Sequence, residues 1–232
     1  MTHTLDTPVW STLTSDHANF RLGNDMALRF DPEVAMFAAT RDDTQASLTA
    51  FGTLLRQTRE QAFMMQDRPI CLPDDVQPVL RAAGLQLVQT RAAQVPKAMP
   101  DWIDKITLLD PEDLEDMLAL TALTKPGPFM RRTPELGRFW GVRIDGRLAA
   151  MAGQRLAMPG FREVSGVCTH PDFRGKGLAA VLSCFVAERI AEEGRTPFLH
   201  AYSDNAGALK LYHTLGFTTR IEVHVAVVKP LN

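Results

Sequence analysis

The spacing of apolar and polar positions divides the chain into segments with different periods. From Thr44 to Met65, apolar residues at Leu48, Phe51, Leu54, Leu55, Ala62 and Phe63 recur at helical spacing around a charged patch of Arg56, Arg59 and Glu60, and Asp67, Arg68, Pro69 and Pro73 end the run. Asp74 is placed to cap a second helix, with Val76, Val79, Leu80 and Ala83 as its buried stripe and Gly84 as its C-terminal signal. A strand is predicted from Leu85 to about Ala93. Pro96 and Pro100 then bracket Lys97 to Met99 and mark a boundary between two units, 1–100 and 101–232.

Beyond this break the pattern predicts a short strand over Ile106–Leu109. Asp110, Pro111 and Glu112 follow as an N-cap and first turn, opening a helix to about Thr124. Phe139 to Ile144 and Arg147 to Met158 flank Asp145-Gly146, which suits a two-residue type I′ hairpin. Pro159-Gly160 turns the chain into a strand from Glu163 to Thr169, completing an antiparallel meander. Leu178, Val181, Leu182, Phe185, Val186 and Ile190 follow helical spacing until Gly194. A short strand over Phe198–Tyr202, a helix capped by Asp204 or Asn205 and stopped by Gly216, and a long alternating strand from Phe217 to Val228 complete the order β-α-β-β-β-α-β-α-β.

Composition narrows the classes open to this α/β chain. Its 232 residues are 45% hydrophobic and 22% charged with mean hydropathy −0.09, enough to bury a sizeable core and unlike a disordered chain. Twenty-five Lys and Arg against 27 Asp and Glu give a net charge of −2, which disfavours general nucleic-acid binding. Met1 to Phe30 holds no apolar signal core, and no stretch has the length of a membrane span, so the expectation is a cytoplasmic protein without a membrane partner. Cys71, Cys168 and Cys184 are odd in number and widely spaced, so reduced thiols and no metal are expected.

His170-Pro171-Asp172-Phe173-Arg174-Gly175-Lys176-Gly177-Leu178-Ala179 joins a strand to a helix. Several N–H groups at a helix N-terminus form an anion site, and glycine at 175 and 177 lets a phosphate approach the backbone without meeting a Cβ. Arg174 and Lys176 add positive charge. The spacing matches neither a Walker A loop nor the G-x-G-x-x-G dinucleotide fingerprint.

Arg174 to Ala179 resembles the [QR]-x-x-G-x-[GA] pyrophosphate loop of the GNAT acyl-CoA-dependent N-acyltransferases, following a V-x-P-like segment from Val167 to Pro171. Asn205, Tyr212 and Leu215-Gly216-Phe217 resemble the second signature of that family, in its order and separation. The resemblance covers roughly Ile106 to Val228 and implies a mixed, mostly antiparallel twisted sheet flanked by helices, with acetyl-CoA as co-substrate. It further implies that backbone groups of Val167, Cys168 and Thr169 pair with the pantetheine arm, that the amides from Gly175 to Ala180, Leu178 and Ala179 among them, hold the pyrophosphate, and that Asn205 touches the coenzyme arm. The strands at 163–169 and 198–202 are expected to splay and admit the thioester.

Transfer to an amine requires a base for the acceptor, a donor for the developing oxyanion and an acid for the departing thiolate. Tyr212 is the candidate acid, a phenol that stays protonated at neutral pH; for an isolated tyrosine in such a helix, core packing is the alternative. Two residues are candidates for the base, Glu163 at the start of the strand before the loop and His200 five residues before Asn205; a solvated edge charge and a hydrogen-bonded strand histidine are the alternatives. Cys168 reads as a small buried residue beside the coenzyme rather than an acyl carrier, and His170 as structural.

The first hundred residues lack the loop. Val79 to Val88 parallels Leu211 to Arg220 as a helix closed by glycine and continued by a strand, which suggests a degenerate GNAT-like half, as in the tandem glycine N-acyltransferase-like branch, or else an unrelated cap. Either would wall the acceptor site or shape an interface. Lys125 to Arg132 corresponds to the family's substrate loop, where Phe129 and the basic pair Arg131 and Arg132 face either a substrate or solvent and core. The functional expectation is an N-acetyltransferase acting on a small-molecule or peptide amine. A non-catalytic acyl-CoA sensor and a nucleotide-binding protein are the alternatives, and the long strand from Phe217 is open to pairing in a homodimer.

Overall fold

Proline at the first helical position opens α1 (Pro8–Leu13) in the computed structural model, which describes residues 3–92 and 100–231. A small antiparallel sheet follows, in the order β1 (Arg21–Gly23), β2 (Ala27–Phe30), β3 (Ala38–Thr40). Thr44 caps α2 (Gln45–Thr58) by accepting from the Ser47 amide, and Arg59 ends the helix in the left-handed region at φ 56°. The helix is therefore shorter than its pattern predicts. Ala62 and Phe63 belong instead to β4 (Ala62–Gln66), buried at every position, and a short apolar run buried on both faces has no period that separates strand from helix.

The helix predicted from Asp74 is absent. Val76–Gln89 forms one strand, β5, paired with the end of the chain. Val79 and Leu80, read as part of a buried stripe, are 52% and 46% exposed, so that stripe does not exist. Pro78 sits at the register shift beside Val228, where a missing N–H costs little. Gly84 lies in mid-strand and terminates no helix. The parallel between 79–88 and 211–220 thereby loses its helix in the first copy. β5 ends at Gln89, short of the predicted Ala93. Ala93 and the boundary at Pro96 to Met99 lie outside the described residues.

The rest follows the sequence pattern closely. α3 (Pro100–Ile103) leads into β6 (Ile106–Leu108), and Asp110 and Asp113 form a capping box ahead of α4 (Leu114–Thr124). Asp145 and Gly146, at φ 51° and 76°, make the two-residue turn between β7 (Phe139–Ile144) and β8 (Arg147–Met158). β9 (Phe161–Thr169), α5 (Leu178–Glu192), β10 (Thr196–Tyr202), α6 (Ala206–Thr214) and β11 (Phe217–Pro230) complete the chain.

One eight-stranded sheet runs in the order β4-β11-β5-β10-β9-β8-β7-β6, antiparallel except where β9 meets β10. Strands from before residue 93 and after residue 100 thus share a sheet, with β5 between β10 and β11. α5 and α6 cover one face through Leu182, Val186 and Tyr212, packed on Leu87, Leu199 and Phe217. On the opposite face, α1 and the small sheet bury Leu5, Val9, Phe30 and Phe37 against Phe63, Met65, Phe198, Val223 and Val225.

Gly216 closes α6 at φ +85°, and a Cβ there would overlap the Arg91 carbonyl oxygen. Gly216→Ala combines a left-handed backbone with that clash. It is expected to destabilise the fold by roughly 1–3 kcal/mol, read as a lower Tm in a thermal melt.

Candidate active site

β9 and β10 pair only at Thr196 with Phe161, Pro197 with Arg162 and Phe198 with Glu163. Past Phe198, β10 keeps β5 as its partner from Leu199–Leu87 to Tyr202–Gly84, and β9 keeps β8. The expected splay is therefore present, and a cavity of about 680 Å³ opens at it. Val167, Cys168 and Thr169 line one side and His200 and Ala201 the other, with Asn205 and Tyr212 contributed by α6 and its cap.

At the cavity mouth the strand-to-helix turn leaves its amides unused. Among the described residues, backbone bonding stops at Arg174 N–H to Pro171 O and resumes at Val181 N–H to Gly177 O, and the six amides from Gly175 to Ala180 have no protein acceptor. Gly175 and Gly177 hold φ of +78° and +76°, and a Cβ on Gly175 would meet only open space. Arg174, Gly175, Gly177, Leu178, Ala179 and Ala180 line the cavity, whereas Lys176 does not. This cradle fits a pyrophosphate. The Thr169 hydroxyl beside it is buried without a partner among the described residues. His170 is structural: its Nδ1 accepts from the Asp172 amide and its Nε2 meets Arg147.

Asn205 caps α6 by accepting from the Ala208 amide at 3.1 Å, which sets the helix that carries Tyr212. Tyr212 is 9% exposed and lines the cavity. Burial, with the nearby Cys168 thiol, pushes its phenol up to about 12, so it is protonated at neutral pH. Burial also pushes Cys168 up to about 11 against the lowering effect of its Thr124 and Met151 hydrogen bonds. A thiol so held lacks the thiolate needed to carry an acyl group.

The two base candidates are joined in one network. His200 Nδ1 lies 2.8 Å from Glu163 Oε1, and Arg155 donates through Nε and NH2 to both Glu163 oxygens, at 2.9 and 3.1 Å. Burial alone raises the Glu163 carboxyl, but Arg155 and His200 outweigh it and hold it at about 2. Glu163 is 1% exposed and does not line the cavity, so the reading of it as a solvated edge charge is corrected. His200 does line it.

The His200 tautomer follows from its other neighbours. Arg220, which can only donate, binds Gln86 Oε1 at 2.9 Å, so the amide nitrogen of Gln86 faces the Leu5 carbonyl at 2.8 Å and His200 Nε2 at 3.1 Å. Nε2 must then accept, and Nδ1–H donates to Glu163. An ion pair from Arg220 to Asp6 anchors the far end.

Several lining residues carry no signal in the sequence. Phe37, Phe63, Met65 and Gly84, all before residue 93, wall the cavity together with Val223 and Val225 of β11 and Arg155 of β8. Their approach depends on strand pairings that no local motif encodes. Of the loop after α4, Lys125 to Pro128 line the cavity, while Phe129 packs edge-on against Phe139 at 5.4 Å. Arg131 pairs with Glu115, and Arg132 with Asp31 and Glu135. Those three side chains do not line this cavity.

The FR47-like protein family model matches residues 140–226. No curated protein matches the chain. Among solved structures, a protein described as an acetyltransferase from the GNAT family of Novosphingobium aromaticivorans is 36% identical, with a TM-score of 0.90 and 100% of both chains covered. A GCN5-related N-acetyltransferase from Kribbella flavida is 19% identical at a TM-score of 0.63, covering 94% of this chain and 93% of its own. An acetyltransferase from the GNAT family of Colwellia psychrerythraea is 16% identical at 0.53, covering 88% and 80%.

Proposed function

Since the chain belongs to the GNAT family of acetyltransferases, we propose that it moves an acetyl group from acetyl-CoA to a primary amine by direct transfer in a ternary complex. The observation that carries this reading is the meeting, at one cavity, of a turn whose amides have no acceptor among the described residues with a wedge between parallel strands. In this assignment the Gly175 to Ala180 amides hold the pyrophosphate. Free backbone groups of Val167 to Thr169 extend the sheet toward the pantetheine arm, and the Thr169 hydroxyl and Asn205 complete its contacts.

The reaction forms a C–N bond and breaks a C–S bond. The departing sulfur needs a proton, and Tyr212 supplies it, since a phenol held at about 12 is fully protonated when the sulfur leaves. The amine gives up a proton, and His200 is the better placed acceptor because it faces the cavity and Glu163 does not. His200 takes that proton at Nε2 by exchanging the hydrogen bond from Gln86. Glu163 acts through His200, holding Nδ1–H and balancing the imidazolium charge.

Coenzyme binding and thiol release test the assignment together. Calorimetry is expected to show acetyl-CoA binding that Gly177→Val weakens at least tenfold, because a β-branched residue at φ +76° both strains the turn and covers the amides. If the variant binds as wild type does, the loop is not the pyrophosphate site. If no amine stimulates thiol release from bound acetyl-CoA, the transfer reading fails and a binding protein remains.

A further inference from the structure

The cavity continues past the wedge, over the face of the sheet that the first ninety residues cover. Strand register places Met65 opposite Val225, Val223 opposite Gly84, and Gln86 opposite His200, so these side chains share one face. Phe63, two residues from Met65, shares it too. From His200 the lining therefore crosses Gly84, where there is no side chain, to Val223, Val225, Met65 and Phe63, and Phe37 closes the end edge-on to Phe63 at 5.3 Å. Three strand spacings from β10 to β4 make this floor about 14 Å long.

Charge along the lining is as selective as its shape. Among the described residues the lining contains no Asp or Glu, so nothing there compensates a second ammonium group. The guanidinium beside the floor, Arg155, stacks 4.6 Å from the Phe37 ring and spends its charge on Glu163, so it does not serve a substrate carboxylate. Lys125 and Arg174 lie toward the loops at the other end.

Resting on the transferase reading above, we infer that the acceptor is a monoamine with an apolar body of about phenylethyl size, neither an amino acid nor a polyamine, its amine beside His200 and its body on the floor from Gly84 to Phe63. Gly84 is the gate of this floor. A Cβ there would lie 3.2 Å from Val223 Cγ2 and from the Ala201 carbonyl oxygen, entering the passage at the cost of a shift of a few tenths of an ångström in those neighbours.

With acetyl-CoA as donor, kcat/KM for phenethylamine is expected to exceed that for ethanolamine, glycine and spermidine at least tenfold, since one methylene in an apolar pocket is worth about 10-fold or more. Gly84→Ala should remove most of that preference and leave coenzyme binding near wild type. Val225→Thr, nearly isosteric but polar, should erode it too, and serves if Gly84→Ala does not fold. Equal or reversed preference with active enzyme overturns the inference and leaves the transferase reading intact. A preference for hexanoyl-CoA over acetyl-CoA with ethylamine, lost in Gly84→Ala, also overturns it by giving the floor to the acyl chain. If no amine is acetylated, calorimetry with N-acetylphenethylamine decides. Binding that Gly84→Ala weakens upholds the floor while the transferase reading falls, and no binding overturns the inference.

Discussion

Tyr212→Phe is expected to lower kcat for amine acetylation by about 10²–10⁴ while leaving coenzyme affinity within about threefold of wild type. Only the hydroxyl is lost. The ring keeps its place against Phe217, 6.1 Å away between centroids, so the helix and the cavity wall persist. An acid at about 12 is far from matched to neutral pH, and its advantage is that it never ionises in the working range. The wild-type rate should therefore show no alkaline fall from this group below about pH 11. Stopped-flow thiol release across pH, with wild type and variant side by side, checks both statements. A variant within twofold of wild type would return Tyr212 to a packing role.

Glu163→Gln is expected to be among the most destabilising single changes in the chain. It leaves Arg155, whose side chain is 12% exposed, without its counter-charge, and breaking one side of a buried pair costs about 3–5 kcal/mol. For a protein of this length that is a fall in Tm of about 6–20 °C. The wild type carries the same dependence in its acid stability. The carboxyl lies at about 2 in the folded chain against 4.5 ordinarily, so the unfolded chain binds the proton first. The stabilisation is fully present above about pH 5 and is lost as pH falls toward about 2. Denaturant melts between pH 7 and pH 3 should show that slope in wild type and a shallower one in Glu163→Gln. Double mutation of Glu163 and Arg155 to apolar residues should recover much of the loss, which separates the stranded charge from poor packing.

What the sequence disclosed was local. The Asp145-Gly146 turn, the Asp110 and Asn205 caps and the glycines of the coenzyme turn each work within a few residues, and the elements they bound are found where the pattern puts them. The helix predicted at 74–84 failed for a reason of the opposite kind. Val79 and Leu80 look like half of a helical stripe, but β11 lies about 140 residues away in sequence and supplies the hydrogen bonds that make them strand. The site divides the same way. Val167 to Thr169, the amide cradle and Tyr212 sit on elements with their own signals, while Arg155, Gln86 and the floor from Gly84 to Phe63 meet only through the sheet. His200 and Glu163 were legible as candidates, but not as one hydrogen-bonded unit, because their pairing crosses from β9 to β10.

The position of β5 between β10 and β11 also sets the order in which the chain can fold. Both β4 and β5 emerge early in synthesis, and neither has its β11 partner until the chain has grown to about residue 230. At 5–20 residues per second, roughly 7–28 s separate the emergence of Gln89 from that of Pro230. For that interval the apolar strand Ala62–Gln66 and the ladder groups of Val76–Gln89 stand open on the ribosome, a template for pairing with any other extended chain. Closing the sheet then depends on contacts of high sequence separation, which are slow to form. The nascent protein should accordingly depend on a holding chaperone more than a chain with locally paired strands does, and fragments ending before β11 should aggregate rather than fold.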